Sequence, residues 1–192
     1  MATVASTNTK QKAYLQLHLA VFLFGFTAVI GKLITLEQTA LVWNRLWIAV
    51  LGLVFIPGVL KGIRSIKRSN FLIFSGIGVL VALHWLTFYG SIKVGNSASV
   101  TLACLATSSL YTSILEPIIT KSKFQWVELV LGLLVIVGIY FLSGVGEAYY
   151  WAIVIGIISA FLASLFSTFL LYTSDSSDVD VSLDLVVLCF FL

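Results

Sequence analysis

Charge is what this sequence has least of. Only 10% of its 192 residues are Asp, Glu, Lys or Arg, where soluble domains carry about 25%. A soluble fold of this length would lack the charges to cover its surface. Aspartate does not occur before position 175 and then comes four times, at Asp175, Asp178, Asp180 and Asp184. Cysteine and histidine are nearly absent: Cys104, Cys189, His18 and His84 are all there are. No CxxC or Cys/His spacing joins them, so neither a disulfide framework nor a zinc site is expected. No metal and no cofactor is predicted. No Gly-rich phosphate loop is present that would hold a nucleotide. No GxSG-type turn frames a serine, so an intramembrane serine hydrolase has only His84 and scattered hydroxyls in its favour; the chain is not expected to be an enzyme.

What is abundant is carbon. Hydrophobic residues make up 60% of the chain, and the mean hydropathy is +1.09. The apolar runs are long and continuous, not alternating. In a bilayer every backbone N–H and C=O has to be paired within the protein, which leaves helices or a closed barrel. Continuous runs of about 20 residues select helices. The fold class predicted is all-α, a polytopic transmembrane helical bundle.

Six spans are read: Tyr14 to Ile34, Thr39 to Leu60, Asn70 to Ile92, Ser97 to Thr120, Phe124 to Ser143, and Tyr149 to Leu171. Residues 1–13 form a short N-terminal segment. Lys93-Val94-Gly95-Asn96 makes a tight turn between the third and fourth spans. The run before the first loop is too long for a cleavable signal peptide and lacks a small-residue cleavage site. Residues 172–192 differ in composition, and Leu170-Leu171-Tyr172-Thr173-Ser174-Asp175 resembles a translated transposon adapter. The expectation is a non-native or disordered tail; a natural cytoplasmic tail is the alternative.

The basic residues order the spans. Lys10, Lys12, Lys61, Arg64, Lys67, Arg68, Lys121 and Lys123 fall on one face of this topology, while Lys32, Arg45 and Lys93 do not. Lysine and arginine collect on cytoplasmic loops, so the N-terminus is expected inside. The same distribution argues against nucleic acid as a partner, because the charges sit in short loops between spans. Trp43, Trp126, Tyr149, Tyr150 and Trp151 sit near span ends, as interfacial aromatic residues do.

Several polar groups fall inside the spans, where they are costly and mark candidate functional positions. In the fourth span Ser97, Thr101, Ser108 and Thr112 recur at helical spacing on one face, and Glu116 continues it beside Pro117. This stripe lines a solute path or bonds to neighbouring helices. Glu116 is a proton- or cation-binding carboxylate, or a boundary residue paired with Lys121 or Lys123. Arg45 has the planar fork that grips a carboxylate, or it snorkels to the interface as Lys32 does. His84 can relay protons or pack through a hydrogen bond. Trp85 and Tyr89, four residues apart, share a helix face and could wall an aromatic solute. Gly156, Ser159, Ala160, Ala163, Ser164 and Ser167 give the sixth span a small-residue surface that lets helices approach.

Taken together these pieces resemble a known family. His84-Trp85-Leu86-Thr87-Phe88-Tyr89-Gly90-Ser91-Ile92, Asn96-Ser97-Ala98-Ser99-Val100, Leu115-Glu116-Pro117 with Lys121, and Trp126 to Gly138 resemble the repeat of EamA-type permeases of the drug/metabolite transporter superfamily. Gly25, Lys32 and Arg45 fit the same pattern. The resemblance covers Tyr14 to Phe169. It implies one five-helix repeat over residues 14–144 and a sixth helix, 149–171, opening a second repeat of opposite orientation. It also implies a secondary transporter of a small amino-acid-like or drug-like metabolite, exporting by alternating access, in the bacterial inner membrane. The candidate substrate-binding residues are Arg45, His84, Trp85, Tyr89, Thr101, Ser108, Thr112 and Glu116. Lipid and the solute are the partners expected. The family's usual two repeats exceed this chain, so a C-terminal truncation is expected. A fragment inactive alone, or one completed by a homo-oligomer or a separate second repeat, is the alternative.

Overall fold

The computed structural model describes residues 2–55, 68–142 and 147–176. Seven helices make up these residues: α1 Ala2–Leu33, α2 Gln38–Val54, α3 Arg68–Gly95, α4 Ala98–Ala106, α5 Ser108–Thr120, α6 Trp126–Leu142 and α7 Glu147–Ser176. No strand occurs among them. The fold is an all-α polytopic bundle. Among the described residues four stretches are long and apolar enough to cross a membrane: Tyr14–Leu33, Phe71–Gly95, Ala98–Thr120 and Tyr149–Thr173. The helix over Trp126–Phe141 is apolar but shorter.

The helices overrun several expected ends. Helix α1 reaches back to Ala2, through a stretch without glycine or proline to stop it. Helix α3 absorbs Lys93, Val94 and Gly95, so the expected four-residue turn shrinks to Asn96 and Ser97. Asn96 makes this reversal at φ 45°, in the left-handed region that asparagine tolerates better than most residues. Ser97 then caps α4, its hydroxyl accepting from the Val100 amide at 3.3 Å. Helix α7 runs past Leu171 to Ser176, with Thr173 buried and its hydroxyl donating to the Phe169 carbonyl at 2.7 Å. The rest of the expected tail, residues 177–192, lies outside the described residues. So do Lys61, Arg64 and Lys67 of the basic loop and the end of the second expected span.

One span is not continuous. The fourth breaks at Thr107, between α4 and α5. There the Thr107 hydroxyl donates to the Cys104 carbonyl at 2.6 Å, and the Thr107 amide meets the same oxygen at 3.0 Å. A threonine hydroxyl that takes a carbonyl three residues back competes with the helical ladder. The break falls at this threonine, where the backbone amide also bonds three residues back, whereas Pro117 sits inside α5 without ending it. Lys121, at φ 58°, closes α5 in the left-handed conformation.

Helix α7 runs down the middle of the bundle. Its partner α3 is antiparallel to it: Ser91 bonds to Ala152 and His84 to Ser159. Helices α4 and α5 run parallel to it, with Cys104 against Gly156 and Thr112 against Ser164. Close approach depends on small residues. A Cβ on Gly156 would lie 2.8 Å from the Cys104 Cβ and 3.1 Å from the Ser91 hydroxyl. A Cβ on Gly95 would lie 2.6 Å from that of Ala152. Lys93 donates to the Ile34 carbonyl and ties the end of α3 to the end of α1. Outward faces carry large apolar side chains in the open, such as Leu15, Phe22, Trp47, Leu72, Leu134 and Phe141. In water such a surface would drive association; in a bilayer it is solvated.

Candidate functional site

Between α1, α3, α4, α5 and α7 lies a partly open cavity of about 220 Å³. Its wall is mostly carbon: Phe24, Trp85, Phe88, Leu102, Leu105 and Ala163. The polar groups on it are His84, Ser108, Thr112, Ser164 and Ser167. Among the described residues no Asp, Glu, Lys or Arg lines it. The break at Thr107 lies at its edge, so Leu105 and Ser108 reach the wall from two separate helical pieces.

His84 is the most constrained of these groups. It is 4% exposed. Its Nδ1 donates to the Ser159 carbonyl at 2.9 Å, with the Ser159 hydroxyl 3.0 Å away. That hydroxyl donates back to the His84 carbonyl at 3.3 Å. Around the ring stand Trp85, Phe88 and Phe166, with centroids 5.1, 5.9 and 5.6 Å from it. An imidazole so placed cannot turn without disturbing both α3 and α7.

On the neighbouring flank of Trp85 lies Arg45. The guanidinium carbon sits 3.7 Å from the indole centroid, and Nη1 donates to the Tyr89 hydroxyl at 2.7 Å. Trp85 and Tyr89 stack at 5.7 Å and 26°. An arginine over an indole gains a cation–π attraction that grows as water is excluded. Tyr89 in turn packs against Gly31, where a Cβ would fall 2.4 Å from the phenol ring. Arg45 is thus half-buried and held by aromatic groups, whereas Lys32 is exposed.

The eight expected substrate-binding residues do not form one set. His84, Trp85, Ser108 and Thr112 share the cavity. Arg45 and Tyr89 adjoin it through Trp85. Thr101 lies elsewhere, buried, its hydroxyl 2.8 Å from that of Ser91, which donates to the Ala152 carbonyl at 2.7 Å. Glu116 is half-buried further along α5, its carbonyl taking the Thr120 hydroxyl at 2.8 Å. The stripe along the fourth span therefore separates at the break: its first part bonds into α3 and α7, and its second part meets the cavity. Thr112 does both, since its hydroxyl is 3.0 Å from that of Ser164, which donates to the Ser108 carbonyl at 2.7 Å.

Phe24, Phe88, Leu102 and Leu105 escaped sequence reasoning as site residues. Nothing in an apolar run distinguishes a side chain facing a cavity from one facing lipid. Ser164 and Ser167 were legible only as a packing surface. No group of three or more His, Cys, Asp or Glu able to hold a metal occurs among the described residues.

Residues 11–144 match the model of the EamA-like transporter family. No curated protein and no solved structure matches the chain. With most of its length matched, the chain belongs to the EamA-like transporter family. The match covers α1 to α6; α7, which supplies Ser159, Ser164 and Ser167, follows it.

Proposed function

We propose that this membrane transporter of the drug/metabolite type moves a small metabolite through the cavity between α1, α3, α4, α5 and α7. The observation that carries the reading is the partly open cavity between these helices, flanked by a broken span. Transporter sites lie near the bilayer midplane and use discontinuous helices. A volume of about 220 Å³ is below the roughly 300–1,000 Å³ of pockets for drug-sized ligands. It suits a solute of amino-acid size or a small drug-like compound.

The movement is export by alternating access, driven by a secondary gradient. The chain resides in a bacterial inner membrane with its N-terminus in the cytoplasm, as its loop lysines and arginines favour. Arg45, Trp85 and Tyr89 form a wall on one side of the path, which opens and closes with α2. Thr101 and Glu116 act on the path from outside the cavity, Thr101 by fixing α4 to α3.

A second reading is that the chain works only with another five-helix unit, either a second copy or a separate chain. The large apolar faces of α1, α2 and α6 leave room for such a partner in lipid. One experiment separates the readings. The purified chain is placed in proteoliposomes and flux is followed for labelled amino acids and uncharged aromatic amides. Saturable flux of any of them supports autonomous transport; no flux from a folded, correctly inserted chain overturns it. Flux restored by a co-reconstituted second repeat selects the partner-dependent reading.

A further inference from the structure

We infer that the ring nitrogen Nε2 of His84 is the acceptor-only group of the cavity, unlike the hydroxyls beside it, and that the solute it takes is uncharged with an N–H or O–H donor. The inference rests on the transport reading for its biological setting, but not for its chemistry.

Three observations carry it. First, the Nδ1 side is fixed. A backbone carbonyl can only accept, so the 2.9 Å contact with Ser159 places a hydrogen on Nδ1. In the uncharged ring Nε2 is then a lone-pair acceptor. Second, Nε2 is directed to the cavity. The side chain is nine-tenths buried and lines that space. Among the described residues no hydrogen bond engages Nε2, yet no fully buried side-chain nitrogen or oxygen lacks a partner. The atom is therefore open to the cavity. Third, the rest of the wall excludes charge. The other polar side chains on it are hydroxyls and the uncharged indole N–H of Trp85, and the nearest guanidinium, that of Arg45, is engaged on Trp85 and Tyr89.

A carboxylate entering this space would leave water without a cation on the lining to contact, which is costly. An amide or alcohol with an aromatic body would give its donor to Nε2 and rest its ring against Trp85 and Phe88. A site built to take a donor also rejects an analogue lacking one, because the protein group is then left unpaired.

The test is binding to the whole chain in lipid nanodiscs. Three probes share one body: 2-phenylacetamide, its N,N-dimethyl derivative and phenylacetate. The wild-type chain is expected to bind 2-phenylacetamide about tenfold more tightly than either of the others. His84→Phe, which keeps an aromatic ring but no acceptor, is expected to erase the preference over the dimethyl derivative. His84→Gln, which restores an acceptor, should recover part of it. Equal binding of the three probes to the wild-type chain, tighter binding of phenylacetate, or no binding at all overturns the inference. The wild-type comparison stands even if a variant fails to fold. Binding is read apart from flux, so a chain that binds the amide and moves nothing overturns the transport reading alone.

Discussion

His84 and Ser159 hold each other twice, once through the imidazole and once through the serine hydroxyl, 75 positions apart in the chain. The pair joins the middle of α3 to the middle of α7. It also sets the direction of the imidazole Nε2 in the cavity wall.

Replacing His84 by Ala removes a cavity group and a helix-to-helix bond together. Interhelical hydrogen bonds in membranes contribute about 0.6 kcal/mol on average and at most about 1.7. Stability should fall by about 1 kcal/mol, while solute flux falls by more than membrane abundance. Flux assays normalised to the amount of inserted protein check this. Equal losses of flux and abundance would make the histidine purely structural.

Arg45 and Tyr89 should act as one unit. Arg45→Lys keeps the charge but loses the flat stack on Trp85 and the directed bond to Tyr89. Its effect on flux is expected to approach that of Arg45→Ala. Tyr89→Phe added to Arg45→Lys should then cost little more. A double-mutant cycle on flux measures the coupling, and additive losses would contradict the geometry.

Gly156 offers a sharper contrast. An alanine there would press on Cys104 and Ser91, whereas nothing lies within 4 Å of a Cβ on Gly25. Gly156→Ala should destabilise by about 1–3 kcal/mol through overpacking. Gly25→Ala should be neutral or slightly stabilising, since glycine disfavours helices by about 0.5–1 kcal/mol relative to alanine. Unfolding in detergent under increasing denaturant reads both.

Ser91 and Thr101 form a buried hydroxyl pair with the Ala152 carbonyl. Ser91→Ala strands the Thr101 hydroxyl in part and should cost about 1 kcal/mol. Thr101→Val in the same chain should cost less than it does alone. Unfolding free energies of the four chains decide it.

Filling the cavity is the direct test of the path. Ala163→Phe projects a ring into the space, and flux should drop by an order of magnitude or more while insertion holds. Ser99→Phe, on an exposed face of α4, serves as the control and should leave flux near wild-type.

Much of this was readable from residue order, and the reasons are physical. Hydrocarbon allows few backbone solutions, so runs such as Phe71–Gly95 announce helices without any knowledge of neighbours. The spacing of Trp85 and Tyr89 placed them on one face, and they stack. The small residues of α7 marked a packing surface, and Gly156, Ser159, Ala160 and Ser164 are buried. What stayed hidden depends on partners distant in sequence. Arg45 looked equally suited to a carboxylate and to the interface; only the fold brings Trp85 and Tyr89 to it. The break at Thr107 was masked because threonine is ordinary inside a membrane helix. Thr101 and Thr112 look alike on a helical wheel, yet one meets Ser91 and the other Ser164.

The contacts of α7 with α3 fall at Ala152 and Ser159, and their partners at Ser91 and His84 are the same seven residues apart. Seven residues are close to two helical turns, so the two antiparallel helices keep step like the teeth of a closed zip. A single residue inserted between Ala152 and Ser159 would swing everything below it by about 100°. The teeth at Ala152 would still mesh, while Ser159 would face away from the imidazole. The reading frame of this one helix therefore acts as a phase setting for the whole assembly. Length, as much as composition, decides whether the cavity keeps its acceptor.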